Sequence, residues 1–387
     1  MTDVTVTAKG ARWWQTGHPW IYRDDIAKAD DHTAGEIVRV LDHHGRFLGR
    51  YFFNPASKIA LRLVTREDTD VGDEFWRARL QQAIAYRARV VVDERTASRL
   101  ISSEADGFPG LIVDRYAGIL VVQNGCLGME RVLPQIVDLL VAQFHPAAVV
   151  ARHDTGIRAL EHLPQETTLL YGERPGPIEI QEGPCRFLVD VWEGQKTGWY
   201  LDQRENRQAA SRLARGRALD VFAYQGAFAC HLARAATEVI AVESSEAAIA
   251  KIAEHAALNG LTNVQPVHAK AFDYLKRADQ EGERFDVIVL DPPAFAKSRR
   301  DVVSAKRGYK ELNLRALKCL APGGHLITCS CSYNLSEPGF LDILRQAAAD
   351  ARRDVRVLEV RTQAGDHPVL LSLPESRYLK CVILEAS

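Results

Sequence analysis

Val355-Arg-Val-Leu-Glu-Val360 and Tyr378-Leu-Lys-Cys-Val-Ile-Leu384 are two strand-like runs with no convincing helix between them. They close a long stretch of a different character. From about Ile178 onward, short apolar runs alternate with segments long enough for a helix: Ala218-Leu-Asp-Val-Phe-Ala223, Val239-Ile-Ala-Val-Glu243, Val264-Gln-Pro-Val-His268, Phe285-Asp-Val-Ile-Val-Leu290 and His325-Leu-Ile-Thr-Cys329. Strands separated by helices pack as a parallel sheet with helices on both faces, a doubly wound α/β domain. The two final runs are then expected as an antiparallel pair at one edge. That ending separates the sheet from an ordinary dinucleotide-binding one.

The amino-terminal part reads differently. Glu36-Ile-Val-Arg-Val-Leu41, Arg46-Phe-Leu-Gly-Arg-Tyr-Phe-Phe53 and Lys58-Ile-Ala-Leu-Arg-Leu-Val64 are β-rich runs separated by His-His-Gly and Asn-Pro-Ala-Ser turns, the pattern of a small antiparallel barrel. A helix is expected from Asp73 to Val92 and another from Met129 to Gln143, with a hairpin over Gly110 to Gln123 turning at Ala117-Gly118. The segment ends near Arg174-Pro-Gly-Pro177, so three domains are expected: 1–71 a barrel, 72–176 mixed α+β, and 177–387 the doubly wound domain.

Composition sets the frame. At 387 residues, 47% hydrophobic and 26% charged, the chain has material for two or three domains with proper cores. No apolar run approaches a membrane span, and Met1 to Lys9 lacks the layout of a signal peptide, so the expectation is a cytoplasmic protein with no membrane partner. Seven scattered cysteines, an odd number, read as free thiols. A net charge of −1 gives no global attraction to nucleic acid, so such a partner must be held by a local basic patch. The oligomeric state stays open, a homodimer included.

Chemistry concentrates at predicted strand ends, which a parallel sheet delivers to one crevice. Asp220-Val-Phe-Ala-Tyr-Gln-Gly226 ends the first strand with a lone glycine and lacks the Gly-x-Gly-x-x-Gly spacing of a pyrophosphate site. Glu243 closes the second strand, where a carboxylate can accept both ribose hydroxyls of an adenosine ligand. Asp291-Pro-Pro-Ala-Phe295 follows the fourth strand, and Thr328-Cys-Ser-Cys-Ser332 ends the fifth. An acid beside a rigid Pro-Pro turn, facing a thiol, suggests nucleophilic chemistry on a base. Cys329 and Cys331 are expected to face opposite ways, and with no further ligands at suitable spacing no metal site is expected. Beyond the Pro-Pro turn lies a basic patch, Lys297, Arg299, Arg300, Lys306, Arg307 and Lys310, placed to meet phosphates. Arg77, Arg79, Arg87 and Arg89 form a second, weaker stripe.

Six ordered segments carry a resemblance: Gly198-Trp-Tyr-Leu-Asp-Gln-Arg204, Phe222-Ala-Tyr-Gln-Gly-Ala-Phe228, Asp291-Pro-Pro-Ala-Phe295, Arg307-Gly-Tyr-Lys310, Ser330-Cys-Ser332 and Asp366-His-Pro-Val369. The series resembles that of the RlmI-type ribosomal large-subunit (23S rRNA) cytosine-C5 methyltransferases. Gly17-His-Pro-Trp-Ile-Tyr22 resembles the start of that family's PUA barrel, and Glu104-Ala-Asp-Gly-Phe-Pro-Gly-Leu-Ile-Val-Asp-Arg115 its middle-domain signature, so the similarity spans the chain. It implies a class I (Rossmann-like) methyltransferase domain with a doubly wound sheet, preceded by a mixed α+β middle domain and an N-terminal PUA-like β-barrel. It also implies S-adenosyl-L-methionine as methyl donor and large-subunit ribosomal RNA as acceptor, with 5-methylcytosine as product.

Carried onto this chain, Cys331 occupies the position of the nucleophile that adds to cytosine carbon 6, and Asp291 is placed to bond the flipped base. Asp220, Gly226, Glu243, Phe272 and Asp291 become candidates for holding the donor, with Gln203 and Arg204 for its methionine carboxylate. Phe295 is a candidate to stack on the base or to join the core. The chain departs from the family twice. Where an acid often follows the third strand it reads His268-Ala-Lys-Ala-Phe-Asp273, leaving adenine to backbone groups or to Asp273, and Ala227 stands where a glycine is common. Two other readings stay open: a guanine-directed ribosomal RNA methyltransferase on the same fold with no covalent step, and a non-catalytic RNA-binding assembly factor.

Overall fold

The computed structural model describes residues 3–29, 32–91, 96–296 and 299–387. The chain divides into two compact units. The first holds Met1–Ile180, Val189–Leu201 and Gly365–Ser376, and the second Gln181–Leu188, Asp202–Ala364 and Arg377–Ser387. Among the described residues no helix is long and apolar enough to cross a membrane.

In the first unit, the three β-rich runs near the amino terminus are strands Ile37–Leu41, Phe47–Phe53 and Leu61–Thr65 of a six-stranded sheet. The sheet departs from the expected all-antiparallel barrel, because Asp3–Val6 pairs parallel to Ile37–Leu41. That placement lets Val4 and Val6 join Val38, Val40, Leu48 and Tyr51 in one apolar core. A second sheet of five strands follows. Its hairpin, Leu111–Tyr116 with Ile119–Asn124, turns at Ala117-Gly118 as expected, with Ala117 at φ 50°. Helices Asp73–Val90 and Leu127–Phe144 cover it, the second running through Pro134; the expected end of the first, Val92, lies outside the described residues.

The second unit carries the doubly wound sheet. Its strands are β1 (Arg217–Val221), β2 (Glu238–Glu243), β3 (Val264–His268), β4 (Phe285–Leu290), β5 (Leu320–Ser330), β6 (Val355–Arg361) and β7 (Lys380–Ala386). Their spatial order is 3-2-1-4-5-7-6, parallel from β3 to β5 and antiparallel for β7. The last two runs do pair with each other, but β7 lies inside, between β5 and β6. Helices α1 (Arg204–Ser211), α2 (Ala227–Leu232) and α3 (Glu246–Leu258) accompany α4 (Ala271–Glu281), α5 (Val302–Cys319) and α6 (Glu337–Ala351).

The near-continuous apolar runs of β1, β2, β4 and β5 follow from having both faces covered. Leu219, Val221, Ile288 and Leu290 turn toward α4 and α5, whereas Ala218, Val287 and Val289 turn toward α1, α2 and α3. Strand order reverses between β1 and β4, so the loops after those strands diverge and open a crevice at their carboxyl ends.

Candidate active site

At the β1 end the backbone is bent hard. Phe222, Tyr224 and Gly226 have φ of 65°, 49° and 80°, and for the two aromatic residues such a conformation costs about 1–3 kcal/mol each. Glycine is required at 226: besides the positive φ, a Cβ there would meet Ile252 of α3 at 3.1 Å. The turn starts α2, whose Ala229 N–H donates to Asp220 Oδ2 at 2.9 Å. Asp220 is buried, and its Oδ1 has no hydrogen-bond partner. Burial, with the nearby Asp291 and Glu243 carboxylates, pushes its pKa up to about 8 against the pull of the Ala229 N–H.

Glu243, at the β2 end, is fixed by three backbone N–H groups. Tyr224 N donates to Oε2 at 2.9 Å, and Ser244 N and Ser245 N donate to Oε1 at 2.6 and 3.0 Å. It lines a cavity of about 230 Å³ together with Phe222, Ser244, Ala269, Lys270 and Phe272. The segment after β3, Ala269 to Phe272, therefore forms one wall, and Phe272 is 41% exposed toward solvent at the start of α4. Asp273 is exposed and does not line this cavity, while His268 Nε2 lies 2.9 Å from the Ser244 carbonyl. Two aromatic residues, Phe222 and Phe272, thus line the cavity.

Asp291 follows β4, and its Oδ1 accepts from Gln203 Nε2 at 3.0 Å. Gln203 is held in turn by Asn206, whose Nδ2 donates to Gln203 Oε1 at 2.7 Å and whose Oδ1 accepts from Arg361 Nε at 3.0 Å. The pairing of Gln203 with Asp291 was not foreseen, and neither were Asn206 and Arg361. Arg204 is buried at the start of α1, with Glu205 at 3.5 Å.

The two cysteines differ in setting, but the expected reason was wrong. Residues two apart on a strand share a face, since side chains alternate with a period of two. What separates them is that β5 ends at Ser330, so Cys331 lies beyond the pleat. Cys329 is fully buried opposite Cys381 of β7. Its contact with Cys381 and its burial hold the thiol well above the usual range. Cys331 is half-buried, and its Sγ points at the Pro292 carbonyl at 3.9 Å, beside the loop that carries Asp291. Ser332 Oγ accepts from the Ala296 N–H at 3.1 Å and lies 3.0 Å from the Tyr309 hydroxyl, tying the β5 end to the Pro-Pro loop and α5.

Phe295 packs among aromatic rings, 4.8 Å from Tyr309, 6.3 Å from Phe272 and 6.5 Å from Phe222, and half-buried against the core. Gly308 leaves room for it on α5. Of the basic patch, Lys297 lies outside the described residues and Arg299 belongs to the 3-10 turn Arg299–Asp301. Arg300, Lys306 and Arg307 are exposed, whereas Lys310 pairs with Asp350 at 2.8 Å.

The second stripe is split: Arg77 and Arg89 are exposed, whereas Arg79 and Arg87 turn inward. Arg87 is buried and donates to Asp106 Oδ1 at 2.5 Å and to the Asp366 carbonyl at 2.9 Å, while Arg79 reaches the Val64 carbonyl at 3.4 Å. Both are spent on structure because the helix buries that face. The Asp366-His367 pair belongs to this knot in the first unit. The Asp366 carboxylate accepts from Arg99 N at 3.0 Å and lies 2.8 Å from His367 Nδ1.

Comparison with known proteins places these features in context. Residues 129–368 match the family model described as S-adenosylmethionine-dependent methyltransferase, and residues 4–66 match that of a PUA-like domain. The ribosomal RNA large subunit methyltransferase I of Shewanella denitrificans is 39% identical over 375 residues, 95% of this chain and 94% of that protein. That of Erwinia tasmaniensis is 37% identical over 390 residues, 98% of each. Among solved structures, a Streptococcus mutans protein described as a SAM-dependent methyltransferase aligns over the whole of both chains with a TM-score of 0.84 at 21% identity. A protein described as a methyltransferase and solved with SAH aligns as completely, at 0.86 and 21%. These two likenesses speak to the fold.

Proposed function

Because this chain belongs to the ribosomal RNA large subunit methyltransferase I family and uses S-adenosylmethionine, we propose that it forms 5-methylcytosine in large-subunit ribosomal RNA through a covalent Cys331 adduct. The observation that carries this reading is the placement of Cys331: past the end of β5, half-buried, with its sulfur against the Pro292 carbonyl, one residue from Asp291.

The donor supplies a methyl group on a sulfonium cation. This chain's residues suit such a ligand. Glu243 is oriented by three N–H groups and can accept ribose hydroxyls at the mouth of a cavity flanked by Phe222 and Phe272. Asp220 has an unpartnered buried oxygen, and burial with the neighbouring carboxylates raises its pKa, a setting that favours a bound cation.

On the acceptor side, carbon 5 of cytosine is a poor nucleophile. The Cys331 thiolate adds to carbon 6, and the ring electrons move to make carbon 5 an enamine carbon. Asp291, oriented by Gln203, hydrogen-bonds the N3 or amino edge and supports the protonated ring. Carbon 5 takes the methyl group as the carbon–sulfonium bond breaks. Loss of the C5 proton to water and departure of the sulfur then restore the aromatic ring, so the net reaction releases one proton.

The test is the Cys331→Ser variant assayed on large-subunit RNA, with mass mapping of the modified nucleosides. Turnover is expected to fall at least about a thousandfold with donor binding retained. Retained turnover with the same product removes the covalent step, and a methylated guanine as the product removes the cytosine assignment.

A further inference from the structure

Directly across the sheet from the end of β5 stands a lysine that the proposed mechanism has not used. Lys380 of β7 is the register partner of Ser330, the residue before Cys331. It is only 4% exposed, and its Nζ donates to the Ser332 carbonyl at 2.8 Å and to the Tyr378 carbonyl at 2.9 Å. Its backbone and its ammonium group thus bracket the cysteine in sequence, one residue on either side.

A buried ammonium ordinarily sits against a carboxylate. Among the described residues Lys380 has none within ion-pair distance. The carboxylate that acts on it, Glu337, is already paired with Arg377. Tyr309, the titratable group that α5 brings to this corner, is held by Ser332, and burial raises its pKa, so it remains a neutral phenol at working pH. Asp291, on the β4 side, is engaged by Gln203. The anion left for the ammonium is the Cys331 sulfur.

We infer that Lys380 is a positioning residue whose fixed ammonium charge, seated under the β5 end, favours the thiolate of Cys331. The inference rests on the nucleophile reading above. Two contributions reach the sulfur from one side chain: the bond to the Ser332 carbonyl fixes the turn that aims Cys331, and the charge shifts its ionisation. Burial lowers the Lys380 pKa to about 8, with Cys331 acting in the opposite direction. The cation is therefore present through neutral pH, where it favours the thiolate, and is lost above it.

The experiment is the pH dependence of Cys331 alkylation by iodoacetamide, read on the Cys331 peptide by mass spectrometry in the full-length protein. Lys380→Met is expected to raise the midpoint by about one unit and to slow alkylation at pH 7 about tenfold. Lys380→Gln keeps a hydrogen bond to the carbonyls without the charge, and should shift the midpoint as Met does. Lys380→Arg should restore it. Donor affinity reports whether each variant is folded.

A midpoint unchanged in both neutral variants overturns the assignment, as does Gln behaving like the wild type, which would mark Lys380 as a hydrogen-bonding brace only. The two readings fail separately. An active Cys331→Ser protein sinks the covalent mechanism whatever the alkylation profile, whereas an inactive Cys331→Ser protein with a flat Lys380 series sinks only the charge.

Discussion

The donor and acceptor ends of the crevice handle charge in opposite ways. At the ends of β1 and β2 it is negative: Asp220 and Glu243 come together with Asp291 close enough to raise the Asp220 pKa, and the cation that acts on Asp220, Arg207, is bound to Glu182. At the ends of β5 and β7 it is positive: a buried ammonium, two carbonyls and a neutral phenol surround the cysteine turn. One end suits a cationic ligand, the other an anionic nucleophile. A sheet that reverses order between β1 and β4 can hold both within a few residues of each other, with Asp291 at the divide.

The sharpest way to break this comparison is to move the serine substitution by two residues. Cys331→Ser is expected to abolish turnover, as above. Cys329→Ser places a hydroxyl in a fully buried site opposite Cys381 and should leave turnover nearly intact, lowering stability by about 1–3 kcal/mol. Activity assays and thermal melts on both proteins separate the roles. Loss of turnover in Cys329→Ser at full stability would mean that the fold does not distinguish the two thiols.

Next in size is the linkage at Asp220. Its carboxyl is raised from 3.8 to about 8 in the folded chain, so the native state binds a proton that the unfolded state has released across that range. Stability contributed by this proton is fully present below about pH 4 and lost as pH rises toward 8, a change on the order of a few kcal/mol. A cationic donor favours the ionised form, so its binding near pH 7 should release protons. Asp220→Asn should flatten the decline in melting temperature between pH 5 and 8. It should also remove the buffer-dependent part of the donor-binding enthalpy. A decline that persists in the variant would assign the negative end to other groups.

How far the sequence already showed these two ends depends on what each is made of. Asp220, Glu243, Asp291 and Cys331 sit at the ends of apolar runs, and strand ends can be read from hydrophobic pattern alone. Lys380 could not be read that way. In Tyr378-Leu-Lys-Cys-Val-Ile-Leu384 it looks like the solvent-facing member of an alternating edge strand, and only the insertion of β7 between β5 and β6 buries it. Gln203 was legible as a site residue through its motif, yet its partner, Asp291, lies 88 residues away and no local pattern encodes the pairing. Arg87 shows the converse error: a charge on a helix was taken for surface, when the fold supplied Asp106 and the Asp366 carbonyl to receive it.

A finer test of the negative end is Glu243→Gln. Three N–H groups point at this side chain, and an amide can satisfy them with one oxygen only, turning its NH2 toward the rest. Losing charge-assisted bonds to two hydroxyls as well should weaken donor binding about 10- to 100-fold, close to 2 kcal/mol. Turnover at saturating donor should be nearly unchanged, because Glu243 touches no reacting atom. Titration calorimetry with S-adenosylmethionine measures the first, and a kcat against KM comparison the second. A fall in kcat alone would place Glu243 at the acceptor end.

The smallest expected effects lie outside both ends, on α5, and they ask whether positive charge at the acceptor side extends to the RNA backbone. Arg307 is exposed, whereas Lys310, one turn along, is already neutralised by Asp350. If both simply contributed basic charge, their removal would be equivalent. Pairing predicts otherwise: Arg307→Ala should weaken RNA binding a few-fold and reduce the salt dependence by about one counterion, and Lys310→Ala should do less. Binding isotherms between about 50 and 200 mM salt distinguish the two, since a phosphate contact changes the slope and a surface ion pair does not. Equal slopes for both variants would mean that Asp350 yields Lys310 to the RNA, and that the positive side of the crevice runs on past the Pro-Pro turn.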